Sequence, residues 1–248
     1  MSTIGSATMV WAEARFLSLI AEQVALVPGP RILLWSHGPW QWLSNEPVPF
    51  HDQTTNPVYH WLQANPGAFD VLELPGGPAI ADDLALEQTT RNIAMDVLAK
   101  RGVDVCLWLD SDYLLTLADM RRVVDTVTGQ PPRAWSYPAY HYWRNFNLCH
   151  AVSPARAATT TAVRYPEAYS EPDALIDGVR LHHPSYVMPT DEVLRKWMAW
   201  GHARLARQHG WAEAWLREDD SAWNPQPAPE KVPQEILDRI ERAQGGSR

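Results

Sequence analysis

The 248-residue chain has few cysteines, no long apolar run and no excess of positive charge. Its two cysteines, Cys106 and Cys149, build no disulfide framework and are not spaced like metal ligands, so we expect a reducing, cytoplasmic compartment. No run of hydrophobic residues approaches the roughly 18 to 20 that cross a bilayer. The first residues also lack the basic and apolar regions of a signal peptide, and we expect no membrane partner.

The net charge of −8 argues against a general nucleic-acid binder, but the charges are distributed unevenly. Residues 1–132 contain 7 Lys and Arg against 15 Asp and Glu, whereas residues 133–209 contain 9 against 6. An acidic first half and a mildly basic middle segment indicate two surfaces with different tasks. The hydrophobic content of 46% is enough for a full core, which excludes a disordered chain.

Hydrophobic patterning alternates strands with helices through the first half of the chain. It predicts strands over residues 6–11, 31–35, 70–74 and 105–109. It predicts helices over residues 13–27, 57–65, 84–101 and 116–127. This alternation predicts an α/β fold, in which a mainly parallel, Rossmann-like sheet is flanked by helices and has right-handed crossovers.

After Gly129 the pattern changes to aromatic, strand-like segments over residues 133–187. Further on, it predicts a helix over 190–208, a proline-rich segment over 224–233 and a short helix over 234–243. We expect one domain over residues 1–210 and a C-terminal extension, the proline-rich segment and the short helix, over residues 211–248.

Two carboxylates follow the most hydrophobic of the predicted strands. Asp110 and Asp112 come directly after residues 105–109, and α/β sheets bind ligands at the carboxyl ends of their parallel strands. Carboxylates this close repel each other unless a cation or hydrogen-bond donors are present, and Mg²⁺ or Mn²⁺ binds carboxylates while leaving positions for phosphate oxygens. The motif predicts a metal–diphosphate site. The alternative is a solvated turn in which Asp110 caps a loop or a helix.

The order of strands and motifs resembles the GT-A fold glycosyltransferases, especially those near family 2 and small phage-encoded members. One matching motif is Arg91-Asn92 on a predicted helix, and another is Asp110-Ser111-Asp112. The sequence GVRLHHPSYV at residues 178–187, followed by a helix that contains Lys196, resembles the closing segment of the small GT-A enzymes. The resemblance covers roughly residues 6–205.

The resemblance implies a GT-A fold and a nucleotide-sugar donor, with a UDP-sugar expected. Glu13, in an Ala-Glu pair where the family has Asn-Glu, and Ser36, in the loop after the second strand, are expected at the donor. Trp11 is expected to border the nucleoside or, alternatively, to be a core residue. Arg91 would pair with the diphosphate, or else with an acidic side chain. Asp110 would reach the ribose or the metal.

The resemblance also implies a metal site, with Mn²⁺ or Mg²⁺ as the cofactor. Asp110 and Asp112 would bind the ion, which would neutralise charge on the leaving nucleoside diphosphate. A histidine of the closing segment would be the third protein ligand, with His183 the first choice and His182 the second. The alternative for two adjacent histidines in a strand is one packed ring and one solvated ring.

An inverting enzyme also needs a carboxylate base beside the acceptor hydroxyl. Asp177 is a candidate for this base, as are Asp191 and Glu192, although the last two are more easily explained as first-turn helix charges. Asp112 is the other residue expected to act in catalysis. A retaining enzyme needs no such base, so the sequence leaves the stereochemistry open, as it does the oligomeric state.

The acceptor is predicted from the basic middle segment. Its arginines and aromatic residues include Arg133, Trp135, Tyr137, Tyr140, Tyr142, Trp143, Arg144, Arg156, Arg164 and Arg180. Arginine among aromatic rings suits a polyanion or a stacked base, which together with the phage-like resemblance predicts 5-hydroxymethylpyrimidine in phage DNA as the acceptor. A glycan or small-molecule acceptor is the alternative. Trp40, Trp42 and Trp143 lie in loop-like sequence, where exposed rings stack on sugars or bases.

Two other classes of protein compete with a glycosyltransferase. A nucleotidyltransferase would use the same strand-end carboxylates, but it should have a glycine-rich phosphate loop after the first strand, which SATMVWAEA lacks. A non-catalytic carbohydrate- or nucleotide-binding module would account for the tryptophans. It would not account for the carboxylates at a strand end with two histidines downstream.

Overall fold

The computed structural model describes residues 2–10, 14–36, 56–74, 83–130, 134–160, 174–199, 208–221 and 223–245. Within these ranges nine strands form one sheet: β1 (Ile4–Val10), β2 (Arg31–Ser36), β3 (Asp70–Leu74), β4 (Val105–Trp108), β5 (Ala134–Trp143), β6 (Asn145–Thr160), β7 (Ala174–Leu175), β8 (Leu181–Tyr186) and β9 (Gln226–Pro227). The helices of the same ranges are α1 (Leu17–Val24), α2 (Pro57–Ala64), α3 (Asp83–Lys100), α4 (Leu117–Val127), α5 (Thr190–Ala199), α6 (Trp211–Leu216) and α7 (Gln234–Gly245). Among these helices, none combines the length and the hydropathy needed to cross a membrane.

The sheet has the strand order β3-β2-β1-β4-β6-β5-β7, with β8 also paired to β5 and β9 to β6. Strands β3, β2, β1 and β4 are parallel to one another, and β7 and β8 run parallel to β5. Strand β6 is antiparallel to its neighbours β4 and β5. The predicted α/β fold with a mainly parallel sheet flanked by helices is thus confirmed, and a long antiparallel hairpin, β5–β6, extends the sheet beyond it.

Strand β4 is covered on both of its faces. Val105 and Leu107 belong to the core that contains residues of α1, α4 and α7, whereas Cys106 and Trp108 belong to the core beneath α3. All four side chains are buried, as expected for a parallel strand between two helical layers. This packing places the end of β4, and Asp110 after it, at the carboxyl edge of the sheet.

Helix α1 is shorter than the predicted helix over residues 13–27. It ends at Val24, and the three residues that follow form a turn, because Pro28 disfavours helical backbone at Val27. At its other end α1 begins at Leu17, after a turn. The predicted helix over 190–208 is described as α5 as far as Ala199, and residues 200–207 lie outside the described ranges.

Trp143 does not lie in a loop. It is the last residue of β5 and is buried, with its indole nitrogen donating to Asp220 (Nε1 to Oδ1, 2.8 Å). Its ring packs against Trp197 of α5, Trp215 of α6 and Trp223. The prediction of an exposed ring was wrong because the residues that cover Trp143 come much later in the chain, where local patterning does not register them.

The C-terminal helix α7 is attached to α1 by a buried arginine. Arg239 is 2% exposed and donates to Oε2 of Glu22 and to the carbonyl oxygens of Leu19 and Leu115, each at 2.9 Å. Since Leu115 lies in the segment between β4 and α4, the same guanidinium also reaches the chain just after the two strand-end carboxylates. The division of the chain into domains at residue 210 stays a prediction.

Removal of the Arg239 guanidinium should destabilise the fold. In Arg239→Met two buried carbonyl oxygens lose a charged donor, and we expect the free energy of unfolding to fall by about 3 kcal/mol. Arg242→Met, at an exposed position of the same helix, is the control and should change it by less than about 0.5 kcal/mol. Urea unfolding followed by circular dichroism measures both variants. Equal stabilities would contradict this role of Arg239.

Candidate functional site at the carboxyl end of strand β4

The Asp110-Ser111-Asp112 turn begins where the carboxyl ends of β1 and β4 lie side by side. The backbone N–H of Ser111 donates to the carbonyl of Met9 at 3.2 Å, which ties the turn to the end of β1. The N–H of Tyr113 donates to the carbonyl of Asp110 at 2.9 Å and closes the turn. Within this turn the two carboxylates have different partners.

Asp110 is paired with Arg91 of α3. The guanidinium donates from Nη1 to Oδ1 at 3.0 Å and from Nη2 to Oδ2 at 2.8 Å, a two-point ion pair. Arg91 is 4% exposed and its Cζ lies 5.2 Å from the ring centroid of Trp108. Of the two partners considered for Arg91, the structure therefore contains the acidic side chain. Diphosphate binding by Arg91, and ribose or metal binding by Asp110, stay predictions.

Asp112 contacts His183 of β8. Its Oδ2 lies 3.2 Å from Nε2 of the histidine, and Asp112 is 5% exposed. The two residues are joined because the turn pairs with β8 just beyond Asp112. The N–H of Leu114 donates to the carbonyl of His182 at 3.0 Å, and the N–H of His182 donates back to the carbonyl of Leu114 at 2.8 Å. The structure thus brings together two of the four predicted metal ligands.

His182 lies on the other side of β8. Successive residues of a strand face opposite sides of the sheet, so His182 points into the core when His183 faces Asp112. Its Nδ1 is 2.8 Å from the hydroxyl of Tyr142, and the two rings are stacked with 8° between their planes. Burial lowers the pKa of His182 from about 6.5 to about 4. The structure places His183, and not His182, beside Asp112.

The separation of Asp112 and His183 suits two neighbouring ligands of one ion. Ligands about 2.1 Å from Mg²⁺ and at right angles are about 3.0 Å apart, close to the observed 3.2 Å between Oδ2 and Nε2. Over the described part of the chain, no three side chains of His, Cys, Asp or Glu converge on one point. Asp112 and His183 would supply two donors to such an ion, and ions of this class complete their shell with water and phosphate oxygens. The predicted Mn²⁺ or Mg²⁺ stays a prediction.

The three candidates for a general base lie in exposed or half-buried positions. Asp177 is exposed in the turn between β7 and β8, and Asp191 is exposed in the first turn of α5. Glu192 accepts two hydrogen bonds from Arg15, one of them from Nε at 3.0 Å, so its carboxylate is already engaged. The role of Asp177 in catalysis stays a prediction.

Several residues predicted for the donor or the acceptor have no described side chain. Trp11 and Glu13 lie outside the described residues, and so do Trp40 and Trp42. Ser36 is the last residue of β2, so its backbone is at the carboxyl edge of the sheet as expected, while its side chain is not described.

The aromatic residues of β5 form core, not a binding surface. The buried rings are Trp135, Tyr137, Tyr140, Tyr142 and Trp143. Arg144 donates to Asp220 and to the carbonyl of Trp215, and Arg180 donates to the carbonyl of Val179. The side chain of Arg156 is not described, and Arg133 and Arg164 lie outside the described residues. The prediction that these rings stack on a base was wrong, because β5 is paired along both edges and its rings fill the core.

Sequence reasoning missed Gln23, whose side-chain amide binds the backbone that follows Asp112. Its amide nitrogen donates to the carbonyl of Tyr113 at 2.9 Å, and its Oε1 accepts from the N–H of Leu115 at 2.8 Å. Gln23 is fully buried on α1. The sequence does contain a signal that could have identified it, because Gln23 is a polar residue on the apolar face of the predicted helix, three residues after Ile20. His141 of β5, which touches His183, was also missed and gave no such signal.

No protein-family model and no curated protein matches the chain. Among solved structures it is similar to TarS of S. aureus, with 12% identity over 80% of this chain and 40% of that one and a TM-score of 0.36. A structure of TarS 1–349 has 12% identity over 98% of this chain and 83% of that one, with a TM-score of 0.35. A 4-diphosphocytidyl-2C-methyl-D-erythritol synthase has 8% identity over 80% of this chain and 98% of its own, with a TM-score of 0.40. The chain spans less than half the length of the first structure. Identities and TM-scores this low do not assign the activity or the substrate of any of these proteins to this chain.

The buried, neutral His182 makes stability depend on pH. The folded chain keeps this ring neutral down to about pH 4, whereas the unfolded chain protonates it near its usual pKa of 6.5. The unfolded state therefore binds more protons between these values, and the free energy of unfolding falls as the pH is lowered through them. We expect His182 to contribute a loss of about 3 kcal/mol from pH 7 to pH 4.

Urea unfolding at several pH values, on the wild type and on His182→Gln, measures this contribution. His182→Gln should lose less stability than the wild type over the same pH range, because glutamine does not titrate. His60→Gln, at an exposed position of α2, is the control and should follow the wild type. Identical pH profiles for wild type and His182→Gln would rule out this assignment.

Proposed function

We propose that this chain is a metal-dependent glycosyltransferase that moves a sugar from a nucleotide-sugar, with a UDP-sugar as donor, to a hydroxyl acceptor. The observation that supports it is the contact of Asp112 with His183 at the carboxyl end of a buried parallel strand, 3.2 Å between Oδ2 and Nε2. Asp112 and His183 are 71 positions apart in the sequence; Asp112 was expected at the metal from the strand-end motif, and His183 from the GT-A resemblance.

The metal, Mn²⁺ or Mg²⁺, would stabilise the negative charge that develops on the leaving nucleoside diphosphate. Asp112 Oδ2 and His183 Nε2 are the atoms that would hold it. Both side chains are largely buried, at 7% and 16% exposure, so their orientation is set by packing before any ligand arrives. A preorganised pair of this kind needs little rearrangement to bind an ion.

Asp110 would contact the ribose or the metal from beside this pair. Arg91 fixes its carboxylate by two hydrogen bonds, and 19% of the Asp110 side chain stays exposed. The ion pair also neutralises Asp110, which leaves the second carboxylate of the motif free of a strong repulsion from it. In this proposal Arg91 acts through Asp110.

For the acceptor we propose a hydroxyl group of a glycan or a small molecule, ahead of 5-hydroxymethylpyrimidine in DNA. The rings expected to stack on a base are buried in β5, and the two arginines of that segment with described hydrogen bonds, Arg144 and Arg180, donate within the chain. The acidic net charge of −8 also disfavours DNA.

Calorimetric titration of UDP and a panel of UDP-sugars, with and without Mn²⁺, tests the donor site. We expect the wild type to bind with Mn²⁺ and the Asp112→Asn variant to lose at least about 100-fold in affinity, since one charged ligand of the ion is removed. Asp125→Asn removes an equal charge at an exposed position of α4 and should bind as the wild type does. Circular dichroism would check that both variants are folded.

Three results would contradict the proposal. Absence of nucleotide binding by the wild type under either condition would exclude a nucleotide-sugar enzyme. Equal binding with and without Mn²⁺ would exclude the metal. Binding of a UDP-sugar without release of UDP in the presence of glycan and hydroxymethylated DNA acceptors would indicate a non-catalytic nucleotide-binding module.

A further inference from the structure

We infer that His141 is a positioning residue for the proposed metal site and fixes which ring nitrogen of His183 faces Asp112. The inference rests on the function proposed above and adds a residue to it. His141 belongs to the aromatic middle segment, and neither the sequence pattern nor the GT-A resemblance singles it out.

His141 and His183 face each other across two parallel strands. They are direct partners in the β5–β8 register, so both side chains lie on one face of the sheet. Their Nδ1 atoms are 2.8 Å apart, and the ring planes stand at 87° to each other with centroids 4.8 Å apart. Nε2 of His183 is on the far side of the ring from this contact, 3.2 Å from Oδ2 of Asp112.

A third contact holds the same ring. The Tyr113 ring packs edge-on against His183, with centroids 5.3 Å apart and 82° between the planes. Tyr113 is held in turn by Gln23, whose amide donates to its carbonyl oxygen at 2.9 Å. The imidazole of His183 is therefore contacted on separate sides by Asp112, His141 and Tyr113, and the first two contact its nitrogens.

A metal bound to Nε2 would determine where the proton of His183 must be. A neutral imidazole has one N–H and one lone pair, so a ring that presents its Nε2 lone pair to a metal carries its proton on Nδ1. Nδ1 of His141 is then the acceptor of that N–H, and His141 carries its own proton on Nε2. Mutation of a group that accepts a hydrogen bond from a metal-bound histidine typically weakens metal binding by about 10- to 100-fold.

A pure packing role for the histidine pair predicts a different result. In that case replacement of His141 would lower stability, while the folded fraction would bind metal with unchanged affinity. The affinity for Mn²⁺ alone separates the two roles, because it requires neither donor nor turnover. Leucine replaces the imidazole with an apolar side chain and so removes the acceptor. The Oδ1 of asparagine lies near the position of the histidine Nδ1 and restores the acceptor.

The experiment measures Mn²⁺ binding to the full chain from the EPR signal of the free ion. We expect His141→Leu to weaken binding by about 10- to 100-fold and His141→Asn to stay within about threefold of the wild type. His60→Leu, an exposed histidine of α2, controls for non-specific loss of a histidine and should bind as the wild type does. Urea unfolding of each variant gives the folded fraction under the binding conditions.

The outcomes are distinguishable. A wild type that binds no Mn²⁺ would overturn the proposed metal site itself. Wild-type binding together with unchanged affinity in His141→Leu would overturn the role of His141 and leave the proposed function standing. Equal weakening in His141→Leu and His141→Asn would also overturn it, since asparagine supplies the acceptor.

Discussion

Two backbone hydrogen bonds between Leu114 and His182 join the parallel half of the sheet to the strands that follow it. The amide of Gln23 binds the backbone on both sides of Leu114, and the guanidinium of Arg239 donates to the carbonyl of Leu115. Helix α1, helix α7 and strand β8 therefore all act on the few residues that follow Asp112. The position of that carboxylate depends on these contacts, because they fix the backbone immediately after its turn.

The candidate site also shows how a protein accommodates two carboxylates two residues apart. Asp110 is neutralised by the two-point ion pair with Arg91, and Asp112 faces a histidine nitrogen. Division of the pair between separate partners reduces the mutual repulsion of two carboxylates this close in the sequence. It also gives them unequal surroundings: Asp110 is paired with the guanidinium of Arg91, while Asp112 lies beside an imidazole nitrogen of His183.

The middle segment of the chain has a structural function in this fold. Its rings fill the space on both faces of β5, and Trp143 packs into a second aromatic group with Trp197, Trp215 and Trp223. Arg144 completes that group, with its Cζ 4.1 Å from the ring centroid of Trp215. Aromatic and arginine residues in sequence can thus mean a buried, internally satisfied layer as readily as an exposed binding surface.

The sequence by itself determined the elements that depend on local hydrophobic periodicity and on residues that end helices and strands. The strand predicted over 105–109 is present over 105–108, directly before Asp110 and Asp112, and the mainly parallel sheet was also predicted; the GT-A resemblance named His183. Only the tertiary structure decided which histidine of the adjacent pair faces Asp112, since a shift of one residue in strand register exchanges the two faces. The tertiary structure likewise identified Gln23, His141 and Arg239 as residues of the site or of its surroundings. Their partners lie more than 40 positions away in the chain, where packing, and not local pattern, sets the contact.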